Sequence, residues 1–329
     1  MSWLDRLGLE HPVVQAGMGG GLATAELAAA VSLAGGLGTL GLMPAHTLPH
    51  EIAKARALCG GRPFAVNLLM PFVRSAHVKV CLREKPAAVS LFFGYNAKMV
   101  AALKREGIMV FHQVGNTAQA HRALNDGADA LIVQGLEAGG HLMGEQTLTR
   151  GLRDMAWAME RCPVIAAGGI HDAATAGAAA RLGAHGVAAG TRFLLTPESH
   201  AHPAYKARLL AANATLVTRL FGLGWPAPHR VVVNAATHRW SDADGAPPAW
   251  ASRIHHAAVM GSRWQPPWME RALLRCQRLG SPVFSPFAQL RDMPDAWADL
   301  TPLYAGHSLQ PAATVVHALS QGFNNRQTP

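Results

Sequence analysis

Ile132-Val133-Gln134-Gly135-Leu136-Glu137-Ala138-Gly139-Gly140-His141 is the stretch on which the fold of this chain turns. The run leading into it, Asp129-Ala130-Leu131-Ile132-Val133, is short and rich in branched apolar side chains, the pattern of a strand buried on both faces. Gln134 ends the apolar run. Gly139 and Gly140 then allow the backbone a positive φ or a close approach to a ligand. His141 follows just past the carboxyl end of a core strand, where α/β folds keep their chemistry. The competing reading is a glycine-rich turn holding a chance histidine, one of 17 in the chain.

Working outward, short apolar runs alternate with alanine-rich helical stretches. The expected strands are 13–16, 37–40, 64–67, 89–93, 108–111, 130–133, 164–167 and 186–189. The expected helices are 24–34, 47–58, 76–83, 97–106, 117–126, 150–160 and 172–182. Thr24 and Asp172 stand where N-caps belong, and Gly107, Gly127 and Gly183 where C′ glycines end helices. Eight strands, each with a crossover, is the count that closes a (β/α)8 TIM barrel, and no G-x-G-x-x-G follows the first strand as an open dinucleotide-binding sheet would have it. The pattern is lost after residue 220. A segment rich in Pro, Trp, His and Arg, with Trp225, Trp240, Trp250, Trp264 and Trp268, is too long for a plain loop. The expected organisation is therefore a barrel over 1–220 and 300–322, with an irregular insertion over 221–299 serving as lid or oligomer contact. A homodimer is one use of that contact. A last helix is expected over 311–321, with 324–329 frayed.

Half of the 329 residues are hydrophobic and 15% are charged, enough apolar material for a large core. Lys and Arg exceed Asp and Glu by 29 to 20, giving a net charge of +9. No basic run and no basic–aromatic interleaving accompanies that excess, so nucleic acid is not expected and anionic small molecules are. Four widely spaced cysteines without a C-x-x-C give neither a disulfide framework nor a zinc site, and no metal is expected. Charged residues precede any apolar run at the N-terminus, and 22–45 is too broken by Glu26 and glycines to span a bilayer. A cytoplasmic protein without membrane contact is the expectation.

Two further stretches carry chemistry. Val164-Ile165-Ala166-Ala167-Gly168-Gly169 and Gly186-Val187-Ala188-Ala189-Gly190-Thr191 place glycines after the seventh and eighth strands, where barrels hold phosphate on backbone N–H groups. Gln15-Ala16-Gly17-Met18 follows strand one, with small residues against which something flat can lie. Asn67, Gln113 and Gln134 end or follow other strands, and such ends converge on one mouth. P-loop, H-E-x-x-H and G-x-S-x-G motifs are missing from the chain. Phosphate-binding turns, one histidine and few acids suit an enzyme whose phosphate-bearing organic cofactor does the hard chemistry.

These blocks, together with Leu27 to Gly38, Val89 to Gly94, Gly190-Thr191-Arg192-Phe193 and Leu303 to Ser308, resemble the nitronate monooxygenases, a family of FMN-binding TIM barrels. The resemblance implies FMN held by Gly17, Met18, Asn67, Gln134, Gly168, Gly169, Gly190 and Thr191. Ala16, Gln113, Gly139 and Gly140 from the same turns join that set, and His141 is the implied catalytic residue. The implied reaction is oxidation of an alkyl nitronate by O2 to a carbonyl compound and nitrite. FMN-type enoyl-(acyl-carrier-protein) reductases and quinone reductases share the blocks, so an NAD(P)H-dependent reductase of enoyl thioesters or quinones is the alternative. A flavin-binding protein without turnover is the third reading. The chain departs from the family at Gly17, where Pro is usual and a looser turn is implied, and at Leu142-Met143-Gly144, which implies a more apolar pocket.

Overall fold

A computed structural model describes residues 2–220, 227–250, 253 and 308–324. The chain divides into two compact units: Met1–Ala138 with Met143–His200 and Leu309–Pro329, and Gly139–Leu142 with Ala201–Ser308.

In the first unit eight strands pair in parallel: β1 (Val13–Gln15), β2 (Gly38–Leu40), β3 (Phe64–Leu69), β4 (Ala88–Phe92), β5 (Met109–Val114), β6 (Ala130–Gln134), β8 (Val164–Ala167) and β9 (Gly186–Ala189). The sheet order β1-β9-β8-β6-β5-β4-β3-β2 runs once around, and a parallel bridge between Val14 and Leu37 joins its two ends. This is the expected (β/α)8 barrel. Helices Ala25–Leu33, Leu48–Leu58, Ser75–Glu84, Ala97–Arg105, Thr117–Asn125 and Ala173–Arg181 fall within two residues of the ends expected from the sequence. The segment expected as one helix over 150–160 is two, Leu148–Asp154 and Ala156–Met159, parted at Met155, whose φ of −99° and ψ of 7° leave the helical range. Asp172 caps its helix through Thr175, in a reciprocal capping box. Thr24 makes no such bond; the Glu51 carboxylate takes the Ala25 N–H instead, at 2.6 Å.

Period-two alternation sorts the strand residues into two layers. Val14, Ala65, Ala88, Met109, Phe111, Ala130, Ile132, Ile165, Ala167 and Ala188 form one buried cluster with Trp3 and Leu7 of the short helix Trp3–Leu7. That cluster is the barrel interior, and Trp3 meets Phe111 edge-on at 6.0 Å. Phe111 is 1% exposed, so truncating it to alanine would cost about 3–5 kcal/mol. The intervening residues, such as Val89, Leu91, Leu131, Val133, Val164 and Val187, pack in the clusters that also hold the helices.

In the second unit, β10 (Thr215–Thr218), β11 (His229–Val232) and the two-residue β7 (Gly140–His141) form an antiparallel sheet in the order β10-β11-β7. Helices Pro203–Ala211 and Ala235–Trp240 flank it in sequence. The stretch after residue 220, read from sequence as having no pattern, thus holds a strand and a helix in its described part. Short polar-interrupted runs such as His229-Arg230-Val231-Val232 carry little periodic signal alone and are stabilised by pairing. Trp225, Trp264, Trp268 and the family-like 303–307 lie outside the described residues, as do 325–329. The last described helix, Ala312–Asn324, covers the one expected over 311–321. No described helix is long and apolar enough to cross a membrane.

Candidate functional site

The alternation that builds the barrel interior also decides which side chains face its carboxyl-end mouth. Asn67 shares the face of Ala65, Gln113 that of Met109 and Phe111, and Gln134 that of Ala130 and Ile132. Asn67 lies inside β3, which runs on to Leu69, and Gln113 inside β5 rather than beyond it. Ala16 and Gly190 continue the interior faces of Val14 and Ala188 one step past their strands. The same parity adds Thr39 on β2 and Ser90 on β4, 1% and 8% exposed, which the sequence reading did not single out. The Thr39 hydroxyl is buried with no hydrogen-bond partner among the described residues. Its backbone N–H donates to Gln15 Oε1 at 2.8 Å, across the β1–β2 junction. A ring of small and polar groups therefore lines the upper layer, where apolar side chains fill the layers beneath.

Several turns at this end have no room for a side chain. A Cβ on Gly17 would stand 2.2 Å from Asn67 Cβ, so the turn after β1 rests directly on β3. Gly168 and Gly169 take φ of +115° and +68° after β8, conformations other residues rarely adopt. Gly190 precedes the short helix Thr191–Leu194, whose first backbone N–H groups have no partner within the helix. Arg192 is buried, its guanidinium bonded to Gln310. Gln134 Oε1 accepts the Met143 N–H at 2.8 Å, and Glu137 Oε2 accepts the Leu148 N–H at 2.8 Å at the start of helix Leu148–Asp154. Glu137 is the one acid of the 132–141 stretch, and its carboxylate is thereby committed to a helix terminus.

His141, with Gly139 and Gly140, belongs to the second unit. Gly140 takes a φ of +77°, as its position before the imidazole requires. In the β7–β11 pair His141 stands opposite His229, and the two rings lie 4.7 Å apart, tilted by 53°. The Leu142 N–H donates to the Pro228 carbonyl at 2.8 Å, tying the end of β7 to the residue before β11. His229 is 1% exposed, and its Nδ1 sits 3.1 Å from the Ala227 carbonyl. Since a carbonyl oxygen only accepts, that nitrogen carries a proton. Burial first, and the neighbouring His229 second, hold the His141 pKa well below the usual 6.5. The imidazole is neutral at physiological pH, a proton acceptor in waiting.

Of the residues singled out from the sequence, Ala16, Gly17, Met18, Gln134, Gly168, Gly169, Gly190 and Thr191 sit at carboxyl ends of barrel strands or in the turns that follow them, Asn67 and Gln113 lie inside the last part of theirs, and Gly17 and Asn67 touch. Thr39 and Ser90 were missed because each is a single small polar residue within an apolar run. The signal that finds them is strand parity, once strand bounds are known. His229 was missed as one histidine among 17 in a segment without visible period.

A family model described as nitronate monooxygenase matches residues 2–77 and 72–276. A nitronate monooxygenase of Pseudomonas aeruginosa is 33% identical over 295 residues, 74% of this chain and 82% of that protein. The (3aS,4S,5R,7aS)-5-hydroxy-7a-methyl-1-oxo-octahydro-1H-indene-4-carboxyl-CoA dehydrogenase of Mycobacterium tuberculosis is 39% identical over 236 residues, 69% of this chain and 64% of that protein, somewhat under two thirds of its length. Among solved structures, the nitroalkane oxidase of Streptomyces ansochromogenes superposes with a TM-score of 0.73 at 28% identity, over 98% of this chain and 97% of that one. With its eight-stranded barrel and these matches, the chain belongs to the nitronate monooxygenase family.

Proposed function

We propose that the chain is an FMN-dependent oxidoreductase that oxidises alkyl nitronates with O2 to a carbonyl compound and nitrite. The observation that carries this reading is the buried His141 imidazole, presented by the glycine turn after β6, whose pKa burial holds below the usual value. A neutral imidazole would take the proton from the carbon next to a nitro group, turning a nitroalkane into its nitronate, or would donate a hydrogen bond to a nitronate that arrives as the anion.

The barrel mouth fits a flavin nucleotide. Gly168, Gly169, Gly190 and Thr191 offer bare backbone after adjacent strands for a phosphate. Ala16, Gly17 and Met18 offer a flat, small-residue surface. Asn67, Gln113 and Gln134 offer amides to ring and ribitol polar atoms, and the Thr39 hydroxyl, without a partner among the described residues, is a buried polar group that a ligand would satisfy. Gly139 and Gly140 join the set by resemblance. Bound FMN would supply electron transfer from substrate to O2. The protein's own part is to hold that group, to take or share a proton at His141, and to attract an anionic substrate with its net charge of +9.

A second reading is favoured by one finding, the 39% identity to a protein named for a carboxyl-CoA dehydrogenase. A carbon next to a thioester carbonyl is also a weak carbon acid, and the same imidazole would take its proton. An NAD(P)H-dependent reductase of enoyl thioesters or quinones is the alternative, in which the same histidine would donate a proton to the reduced substrate.

The test is anaerobic mixing of FMN-loaded protein with a nitronate, an acyl-CoA, NADH and NADPH in turn, following flavin absorbance. Bleaching by the nitronate alone is expected. Rapid bleaching by a nicotinamide or an acyl-CoA, with no response to nitronate, would overturn the monooxygenase reading. His141→Ala is expected to retain FMN and lose turnover; full turnover would remove His141 from the chemistry.

A further inference from the structure

We propose that His229 is the positioning residue for His141: facing it across the β7–β11 pair, it orients the His141 ring and disfavours a second charge beside it. The inference rests on the reading of His141 as the proton-transfer residue and adds the group that prepares it.

The geometry has three parts. First, β7 is only Gly140–His141, too short to hold itself, and its pairing partner is β11, in the register His229↔His141 and Arg230↔Gly140. A two-residue strand takes its orientation from whatever it pairs with, and here that partner places one imidazole against the other. Second, the rings are 4.7 Å apart at 53°, close enough for their shapes to constrain each other. Third, His229 is itself held: it is 1% exposed and its Nδ1–H is donated to the Ala227 carbonyl at 3.1 Å, so its ring is a fixed wall.

Two imidazoles at this separation cannot both carry a charge without strong repulsion in a buried setting. After burial, a protonated His229 would be the next cause that disfavours a charge on His141. Arg230, the next residue of β11, sends its guanidinium to Thr215 Oγ1 at 2.9 Å on the neighbouring strand. The consequence for chemistry is directional. A histidine kept neutral is ready to remove a proton from a carbon acid. It is poorly suited to begin a cycle by donating one. His229 thus suits the site to a neutral His141 that takes a proton from a carbon acid or hydrogen-bonds an anionic nitronate.

The experiment uses the full-length, FMN-loaded protein with 15N-labelled histidine, following imidazole resonances by NMR across about pH 5.5 to 8, a window that brackets the ordinary histidine pKa of about 6.5. The His141 signal is assigned by its loss in His141→Gln. In the unsubstituted protein it is expected to stay neutral throughout. In His229→Gln and in His229→Phe, which keeps a ring of similar shape and leaves the burial in place, it is expected to begin titrating toward the acid end of the window, and the acid limb of the kcat/KM profile is expected to move to higher pH with it. A His141 that titrates near the ordinary value in the unsubstituted protein would overturn the proposal, as would an unchanged titration in both variants. Full turnover by His141→Ala would sink the proton-transfer reading instead, while the coupling between the two rings would still be read from the spectra.

Discussion

Gly17 and Asn67 are in such close contact that a β-carbon on the glycine would lie 2.2 Å from Asn67 Cβ and 2.5 Å from its Cγ. The family's usual Pro at this place implied a looser turn where the chain has glycine; instead the Asn67 side chain occupies the space a ring would take. Gly17→Ala must therefore displace Asn67, at about 1–3 kcal/mol for overpacking. Flavin affinity is expected to fall with it. Asn67→Gly alone should cost less than the glycine change, and the double variant should recover most of the stability lost by Gly17→Ala. Thermal unfolding of the four proteins completes the cycle; strict additivity would show that the two positions do not share the space.

Thr39 gives a prediction of opposite sign for apo-protein and holoprotein. Its buried hydroxyl has no partner among the described residues, so Thr39→Val removes an unsatisfied group and keeps the shape. The flavin-free protein is expected to be unchanged or more stable by up to about 1 kcal/mol. Flavin affinity is expected to drop by about tenfold, one hydrogen bond's worth. Calorimetry of the apo form and fluorescence titration with FMN read the two effects separately. An unaltered affinity would place Thr39 outside the cofactor site.

Glu137 separates a structural acid from a catalytic one. Its carboxylate accepts the Leu148 N–H at 2.8 Å, while Thr147 accepts from Arg150 at the same terminus. Glu137→Ala is expected to cost about 1–2 kcal/mol of stability, as loss of a helix-terminus acceptor does. The pH profile of turnover should keep its shape. A lost ionisation in that profile would give Glu137 a chemical role.

Acid should weaken the fold through buried histidines. Burial lowers His141 well below 6.5, His229 adding to the effect, and burial lowers His112 against hydrogen bonds to the Gln113 and Gly94 carbonyls and Asp126, which pull it up. Folded pKa values below the unfolded one mean that the unfolded chain binds more protons in acid. Stability from this source is complete above about pH 6.5 and is lost as pH falls toward the folded values, by up to about 1.4 kcal/mol per pH unit for each group. Urea unfolding is expected to give near-equal stability at about pH 7 and 8 and a clear loss at about pH 5.5. Equal stability at all three would contradict it.

The described cysteines should be inert. Burial pushes Cys81 up to about 12 and Cys162 to about 11, and it raises Cys59 against a hydrogen bond from Ser32. Thiolate is the reactive form, so iodoacetamide at about pH 8 is expected to leave all three unlabelled in the native protein and to label them in urea, as read by peptide mass mapping. Rapid native labelling of Cys81 would mean that its cluster opens.

Much of the barrel was legible because its signals are local. Runs such as Val164–Ala167 and Gly186–Ala189 are apolar on both faces, and a glycine ends each; a window of a few residues contains the whole message. Gln134, the last residue of its strand, was legible for the same reason, whereas Asn67, read as a strand end, lies inside β3. Helix caps were legible only where the side chain serves its own helix, as Asp172 does. Thr24 does stand at the N-cap, but a carboxylate from another helix, Glu51, takes the Ala25 N–H in its place. Thr39 and Ser90 were hidden because their direction depends on strand parity, which a shift of one residue reverses.

By itself, then, the sequence determined the alternation of strands and helices, their number, and the stock of small and polar residues at the strand ends. Those follow from local hydrophobic pattern and backbone preference. Only the tertiary structure decided that Asn67 fills the place beside Gly17, that Glu137 belongs to a helix terminus, and that His229 faces His141. Each of these is a contact between residues distant in the chain, set by strand register and side-chain volume once the elements have met, and neither quantity is written in any local window.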